Sequence, residues 1–229
     1  MLVAEIGLNH FGSERIANQF IDELLKTDID AITFQVAGNE FYKKNRKLKL
    51  PNSFYLSAIK KVHSGNKKIG LAFGDCCDYE KYNKYNYDFF KFLSIATKGM
   101  VIATKRMVID YKLKNIDKSI FLSIGTVDEI EITKILKKIP NNHITLLYTS
   151  FTQKTGKLDL RIIKKIKKKF QLPVAYGQHA YSTKILNEAK SMGSDDIFFY
   201  VKRDIKRIHP DEKHAINISQ IDKVIKNLK

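Results

Sequence analysis

Short apolar runs alternate with longer amphipathic stretches along the whole chain. The run Val3-Ala4-Glu5-Ile6-Gly7-Leu8 has the length and apolar content of a buried strand. Ser13 follows where a helix cap belongs, ahead of a segment to about Lys26 with Ile16, Phe20, Ile21, Leu24 and Leu25 on one face. The unit then repeats. Further strands are predicted over residues 31–36, 68–73, 88–94, 119–123, 143–148, 173–179 and 197–202. Helical spacing is predicted from near Pro51 through Phe54, Leu56, Ile59 and Val62, briefly over 79–84, and over about 99–114. A capping box, Thr126-Val127-Asp128-Glu129, opens a helix ending near Ile139. A lysine-faced helix carries Ile162, Ile163, Ile166 and Phe170, and two more helices are predicted over 183–192 and 219–228. Residues 39–49 read as a polar loop.

Eight strand-then-helix units of this spacing demand parallel strands joined by right-handed crossovers. They point to an α/β protein, a (β/α)8 TIM barrel slightly below its usual size. An open doubly wound sheet is the rival. The barrel is preferred because there are eight units, no Gly-rich first strand-to-helix turn, and polar residues at many strand ends. No linker or composition break interrupts the chain, so residues 1–229 are expected to form a single TIM-barrel domain.

Composition adds bounds. Hydrophobic residues make up 44% and aromatics 11% of the 229, enough to bury a sizeable core and to exclude general disorder. No run approaches the roughly 18 apolar residues of a membrane span. The opening MLVAEIGLNH has no basic segment, so it is not expected to be a signal peptide. The two cysteines, Cys76 and Cys77, are adjacent, which predicts a reducing, cytoplasmic setting without a zinc framework. The net charge is +17, but only six of the 41 basic residues are Arg. Nucleic-acid sites use Arg heavily, so the lysines read as solvated helix faces and nucleic acid is not the expected partner. The field still favours an anionic ligand.

In such a barrel, the site lies at the carboxyl ends of the strands. Polar candidates there are Glu5, Asn9 and His10; Thr33 and Gln35; Asp75; Lys91 and Ser94; Ser123; Tyr148, Thr149 and Ser150; Tyr176, Gln178 and His179; and Tyr200, Lys202 and Asp204. Lys91 is the most informative, because it sits among Phe89, Phe90, Phe92 and Leu93. A lysine in a buried strand is costly unless an anion or a polar cavity meets it. With Ser94 and Ser123 it would make a phosphate or carboxylate cradle; the bland alternative is a side chain that snorkels outward. Glu5 poses the same question with opposite sign. His179 is either a metal ligand or a hydrogen-bonded histidine.

Several segments, in order, resemble the sialic acid synthase family. The opening Ala4-Glu5-Ile6-Gly7-Leu8-Asn9-His10-Phe11-Gly12 resembles that family's "AEIGxNHxG". Asp30-Ala31-Ile32-Thr33-Phe34-Gln35 resembles "DAVKFQ", Phe90-Lys91-Phe92-Leu93-Ser94 "YKIxS", and Leu122-Ser123-Ile124-Gly125-Thr126 "LSTGM". Leu172-Pro173-Val174-Ala175-Tyr176-Gly177-Gln178-His179 resembles "LPVGYSDH", and His209-Pro210-Asp211 with His214 resembles the "GPDH" loop. The resemblance implies condensation of phosphoenolpyruvate with an N-acetylated amino sugar such as N-acetylmannosamine or a related aldehyde, giving a sugar acid. It implies a divalent metal, Mn²⁺ or Mg²⁺, at the barrel mouth with His179 as a ligand. With the resemblance, Glu5, Lys91 and His179 are expected to be catalytic and Ser94 and Ser123 to meet the substrates; Asn9, His10, Gln35, Tyr176 and Lys202 are expected around the substrates from their places at or near the strand ends. Family members are commonly dimers, so a homodimer, or a partner supplying the family's C-terminal antifreeze-like domain, is implied as well; the chain is expected to be the barrel alone.

The departures are as specific as the matches. The family's "KFQ" lysine is Thr33, its second metal histidine aligns with Tyr200, and the aspartate of "SDH" is Gln178. Tyrosine is a poor ligand for such an ion near neutral pH, since its pKa is about 10. Lys202 and Arg203 are placed to supply charge there. The expected function is therefore a synthase-like enzyme of sugar-acid or surface-glycan precursor biosynthesis. The alternative is a divergent barrel that binds an acidic or phosphorylated carbohydrate without synthase activity.

Overall fold

The computed structural model describes residues 1–74, 79–93, 118–125, 129–137, 143–149 and 158–228. Eight parallel strands follow one another around a closed sheet: β1 (Leu2–Gly7), β2 (Ala31–Val36), β3 (Lys68–Phe73), β4 (Phe89–Phe92), β5 (Ser119–Ser123), β6 (Ile144–Thr149), β7 (Val174–Gly177) and β8 (Ile197–Lys202). Pairing of β1 with β8 closes the (β/α)8 barrel, as the alternation of the sequence predicts. A two-residue β9 (Ile216–Asn217) pairs with the end of β8.

Described helices between the strands are α1 (Glu14–Leu24), α2 (Asn39–Lys44), α3 (Asn52–Ser64), α4 (Tyr79–Tyr82), α5 (Glu129–Leu136), α6 (Arg161–Phe170), α7 (Lys184–Ser191) and α8 (Ile221–Ile225). Ser13 caps α1: its side chain accepts from the Ile16 N–H, and Ala17, Phe20, Ile21 and Leu24 fill the buried face. In α6, Ile163 and Ile166 are buried while the lysines face outward. Lys165 and Lys169 both reach Glu129 of α5, and Lys167 pairs with Asp195 at 2.7 Å.

Two predicted elements differ. Residues 39–49 hold α2 and a 3-10 turn, Arg46–Leu48, instead of a loop. The helix hid in polar sequence because one buried residue, Tyr42, anchors it; the Ala37 N–H donates to the Tyr42 hydroxyl at 3.2 Å. The helix predicted over 219–228 is shorter, a 3-10 turn at Ile218–Gln220 running into α8. The predicted helix over 99–114, the Thr126–Asp128 part of the capping box, and Cys76 and Cys77 lie outside the described residues.

Alternation along the strands sorts residues into two layers. Outward side chains such as Ile32, Phe34, Leu71, Phe90 and Phe199 join the helices in the large core. Inward Val3, Ala31, Phe89, Phe121, Leu147, Ala175 and Phe198 form a second apolar cluster inside the barrel. Three rings dominate it. Phe89, Phe121 and Phe198 meet edge to face with centroids 4.8 to 6.1 Å apart. Gly70 makes this fit, because a Cβ there would lie 2.0 Å from the Phe89 ring. The rings close the interior and form a dry floor under whatever lies at the mouth.

Candidate active site

One step along the same inward positions, the lining becomes polar. Glu5 on β1 and Lys91 on β4 both point into the barrel, and their charges meet at 2.5 Å with side chains only 4% and 3% exposed. Small inward residues on β3, Gly70 beside Phe89 and Ala72 beside Lys91, leave room for the lysine to cross. The ammonium also stands 5.1 Å from the Phe198 ring, over the aromatic floor. This revises the sequence argument. Lys91 does point inward, but its counter-charge is Glu5. The two buried charges that the sequence presented as separate puzzles answer each other. Glu5 still has an unpartnered buried oxygen, Oε2.

Ser123 at the end of β5 and Thr149 at the end of β6 set two buried hydroxyls 3.5 Å apart on the far wall. Thr33 is buried too, but its hydroxyl bonds the Phe34 carbonyl at 3.3 Å. Gln35 lies half-buried on the same face of β2 as Thr33. Ser94, Asp75 and Ser150 lie outside the described residues.

The loop after β8 folds back over this layer. Asn9 fastens it: its Nδ2 donates to the Val201 carbonyl at 2.8 Å, and its Oδ1 accepts from the Asp211 N–H at 3.0 Å. Asp211 packs against the end of β1, where the strand register is irregular between Glu5 and Gly7. Gly7 has φ +55°, and a Cβ there would sit 2.7 Å from Asp211 Oδ2 and 2.8 Å from the Tyr200 ring. Only glycine meets both demands.

Beside Asp211, three rings cluster. His179 lies 5.4 Å from Tyr200 and 4.9 Å from His214, and Tyr200 lies 4.8 Å from His214. Burial, then His214 and Lys91, push the His179 imidazole down to about 3, and burial lowers His214 as well. Both are therefore neutral near pH 7. Burial, then Glu5 and Asp211, raises the Tyr200 phenol well above its usual range. Burial and then the Glu5 charge push the Asp211 carboxyl up to about 7, against an opposing hydrogen bond from Leu8 and the charge of Lys91.

Several expected substrate contacts fall elsewhere. Tyr176 points outward into the helix layer, near Tyr148 and Glu188, because its neighbours Ala175 and Gly177 take the inward positions. Tyr148 faces the same way. His10 is fully buried beside Phe34 in the first strand-to-helix turn; its Nδ1 accepts from the Gly12 N–H at 2.9 Å, and burial pushes it down to about 4. Asn9 spends both ends of its amide on the clamp. Gln178 holds its own turn, donating to the Ala180 carbonyl at 3.0 Å. Lys202 shares the inward face of Tyr200 but is paired with Glu212, and Arg203 with Glu23. Neither stands as an uncommitted cation. The residues that the strand-end reading passed over are Asp211 and His214. Their signal was the resemblance of His209-Pro210-Asp211 with His214 to the "GPDH" loop, which assigned them no role.

The divalent ion implied by the resemblance can be tested against these donors. Among the described residues no group of three His, Cys, Asp or Glu converges to hold an ion. Tyr200, a neutral phenol, occupies the second histidine's place. His179 and His214 lie ring against ring with planes 32° apart. Structural divalent sites need more convergent anionic or imidazole donors than this. The described residues do not fit the ion.

Comparison with known proteins places this barrel. The model of a family described as the NeuB family matches residues 78–229. An uncharacterized protein of Methanocaldococcus jannaschii is 27% identical over 241 residues, covering all of this chain and 69% of the relative. Among solved structures, the N-acetylneuraminic acid synthetase of Leptospira borgpetersenii, crystallised with citrate, superposes with a TM-score of 0.82 at 19% identity, over 99% of this chain and 81% of that one. A spore coat polysaccharide biosynthesis protein of Bacillus subtilis gives 0.83 at 15% identity, over 100% and 66%. A truncated 3-deoxy-D-arabino-heptulosonate 7-phosphate synthase of Thermotoga maritima gives 0.73 at 14% identity, over 100% and 84%. At these identities the structures establish the fold.

Proposed function

The chain belongs to the NeuB family, and from that premise we propose that it is a sialic acid synthase-like enzyme of sugar biosynthesis, condensing phosphoenolpyruvate with an aldehyde-bearing sugar. The observation that carries the reading is the buried Lys91–Glu5 pair above the aromatic floor. An ammonium has three N–H donors, and Glu5 takes one. An anionic group entering from the mouth would meet the others in a dry setting, where charge-assisted hydrogen bonds are strong. Ser123 and Thr149 offer hydroxyls to the same guest. Glu5 would hold Lys91 in place and, through Oε2, accept from a sugar hydroxyl.

The dry floor has its own role: it keeps bulk water from below the reacting atoms. His179, neutral and half-buried, would contact the sugar as a hydrogen-bond partner. The test is phosphate release from phosphoenolpyruvate with N-acetylmannosamine, run with Mn²⁺ and with chelator. Expected is aldehyde-dependent release that the Lys91→Met variant loses. Release equal to a protein-free control would overturn the reading.

A second reading has a specific observation behind it. Lys202 is tied to Glu212, and Thr33 stands where the resembled family has lysine, so the described mouth has fewer free cations than a phosphoenolpyruvate site needs. That favours a barrel that holds an acidic carbohydrate without turning it over. A thermal shift with N-acetylneuraminate but no phosphate release would support it.

A further inference from the structure

We propose that Asp211 is the acid of this mouth, giving a proton to the carbonyl oxygen of the aldehyde substrate as the new carbon–carbon bond forms. The inference rests on the condensation reading above and names the group that serves it.

The first observation is a count of charges. Among the described residues, two carboxyl groups, Glu5 from β1 and Asp211 from the loop after β8, face one ammonium, Lys91 from β4. The Lys91 charge is balanced by Glu5. His179 after β7 and His214 on the loop are neutral, and Tyr200 on β8 keeps its phenol proton. Among the described residues no cation other than Lys91 acts on Asp211, so the spare proton of this group belongs to it. The second observation is access. Glu5 and Lys91 are only 4% and 3% exposed, whereas the Asp211 side chain is 23% exposed, so it feels the buried pair's field and is the most accessible of the three charged groups.

The third observation is how firmly Asp211 is held. Asn9 grips its N–H, Leu8 donates to its carboxyl, and Gly7 leaves space for one oxygen. Such fixing is what a positioned acid requires. His214 Nε2, buried and without a hydrogen-bond partner, stands 3.9 Å from Asp211 Oδ1. It is the polar neighbour against which the Asp211 carboxyl is set.

The step balances. C3 of the enol phosphate bonds to the aldehyde carbon, and the carbonyl π pair moves to oxygen. That oxygen takes the Asp211 proton and becomes the new hydroxyl. Water adds at C2; of its two protons, one restores Asp211 and one leaves with phosphate as the C–O bond to phosphate breaks and the ketone forms. No ion is needed at the aldehyde oxygen, which agrees with a donor set that does not fit one.

The test compares wild type with Asp211→Asn, which keeps an acceptor for the Leu8 N–H. In wild type, turnover should fall as pH rises through about 7, where Asp211 loses its proton. D211N should lower kcat by about 100- to 10,000-fold and abolish that limb, while the thermal shift caused by phosphoenolpyruvate persists. If D211N melts far below wild type, Asp211→Glu carries the test: its limb must move with the new carboxyl. Turnover in which D211N keeps both rate and limb, or D211E leaves the limb unmoved, overturns the assignment alone. So does wild-type turnover abolished by chelator and restored by Mn²⁺. Absence of turnover in wild type overturns the condensation reading and this assignment with it.

Discussion

The two halves of the barrel interior are built from the same strands and obey opposite rules. The floor, Phe89, Phe121 and Phe198, is wholly apolar, and its rings satisfy one another by edge-to-face contact. Two residues further along the strands, at the next inward positions, and on the loop after β8, the mouth gathers an ion pair, a second carboxyl, two imidazoles and a phenol. Several of its polar atoms find no hydrogen-bond partner among the described residues, among them Glu5 Oε2 and His214 Nε2. Buried polar atoms left unpaired are costly. A fold tolerates them where a guest completes the hydrogen bonds. The floor supplies stability, and the mouth is where the proposed chemistry would sit.

Breaking the floor should have the largest effect on stability. Phe121→Ala removes the ring closest to Phe198 and should cost about 3–5 kcal/mol in urea unfolding. A loss under about 1 kcal/mol would mean the barrel interior collapses around the gap and the floor is not the support described.

Breaking the ion pair should come close behind, for a different reason. Lys91→Met strands Glu5 in a dry site and should cost about 3–5 kcal/mol. The double variant Glu5→Leu with Lys91→Met removes both charges and should recover most of that stability, yet bind no phosphoenolpyruvate by calorimetry. A single variant as stable as wild type would show that Glu5 reaches water.

Asn9→Ala tests the clamp between mouth and frame. Losing both amide bonds should cost about 1–3 kcal/mol. Amide exchange should accelerate across residues 209–214 and leave the floor strands unchanged. Equal acceleration everywhere would show that Asn9 supports the whole barrel.

The smallest effect is a slope. Asp211 holds its proton up to about 7 when folded but only to near 3.8 when unfolded. Its contribution is full below the unfolded value and is lost as pH rises to about 7. His10 works the other way: held neutral down to about 4 against 6.5 unfolded, it stabilises fully above 6.5 and loses this as pH falls. Asp211→Asn should therefore steepen the rise of stability with pH between about 4 and 6.5, and His10→Gln should flatten it. Parallel curves for the two variants would contradict the burial assigned to both.

Much of this was legible in the chain. Glu5 and Lys91 stood out because a charge inside an apolar strand has to be met by something. What met them was not legible, since they lie 86 residues apart and only closure of the sheet brings β1 and β4 across from each other. Tyr176 misled because it sits at a strand end with the right chemistry, yet one step of alternation turns it to the helices. Asp211 and His214 were noticed only as part of the "GPDH" resemblance and given no role, because they sit on a loop, where no periodicity announces which way a side chain faces.

The sequence by itself determined the eight strands and the parallel barrel they close into, since period and length select each element before any contact forms, and its motifs carried the family resemblance. Only the tertiary structure decided which polar residues share one chamber, that the buried lysine has a carboxylate from its own chain, and that a loop aspartate is carried over the mouth. Those outcomes depend on distances between remote residues and on the low dielectric around them, and neither is written in neighbouring letters.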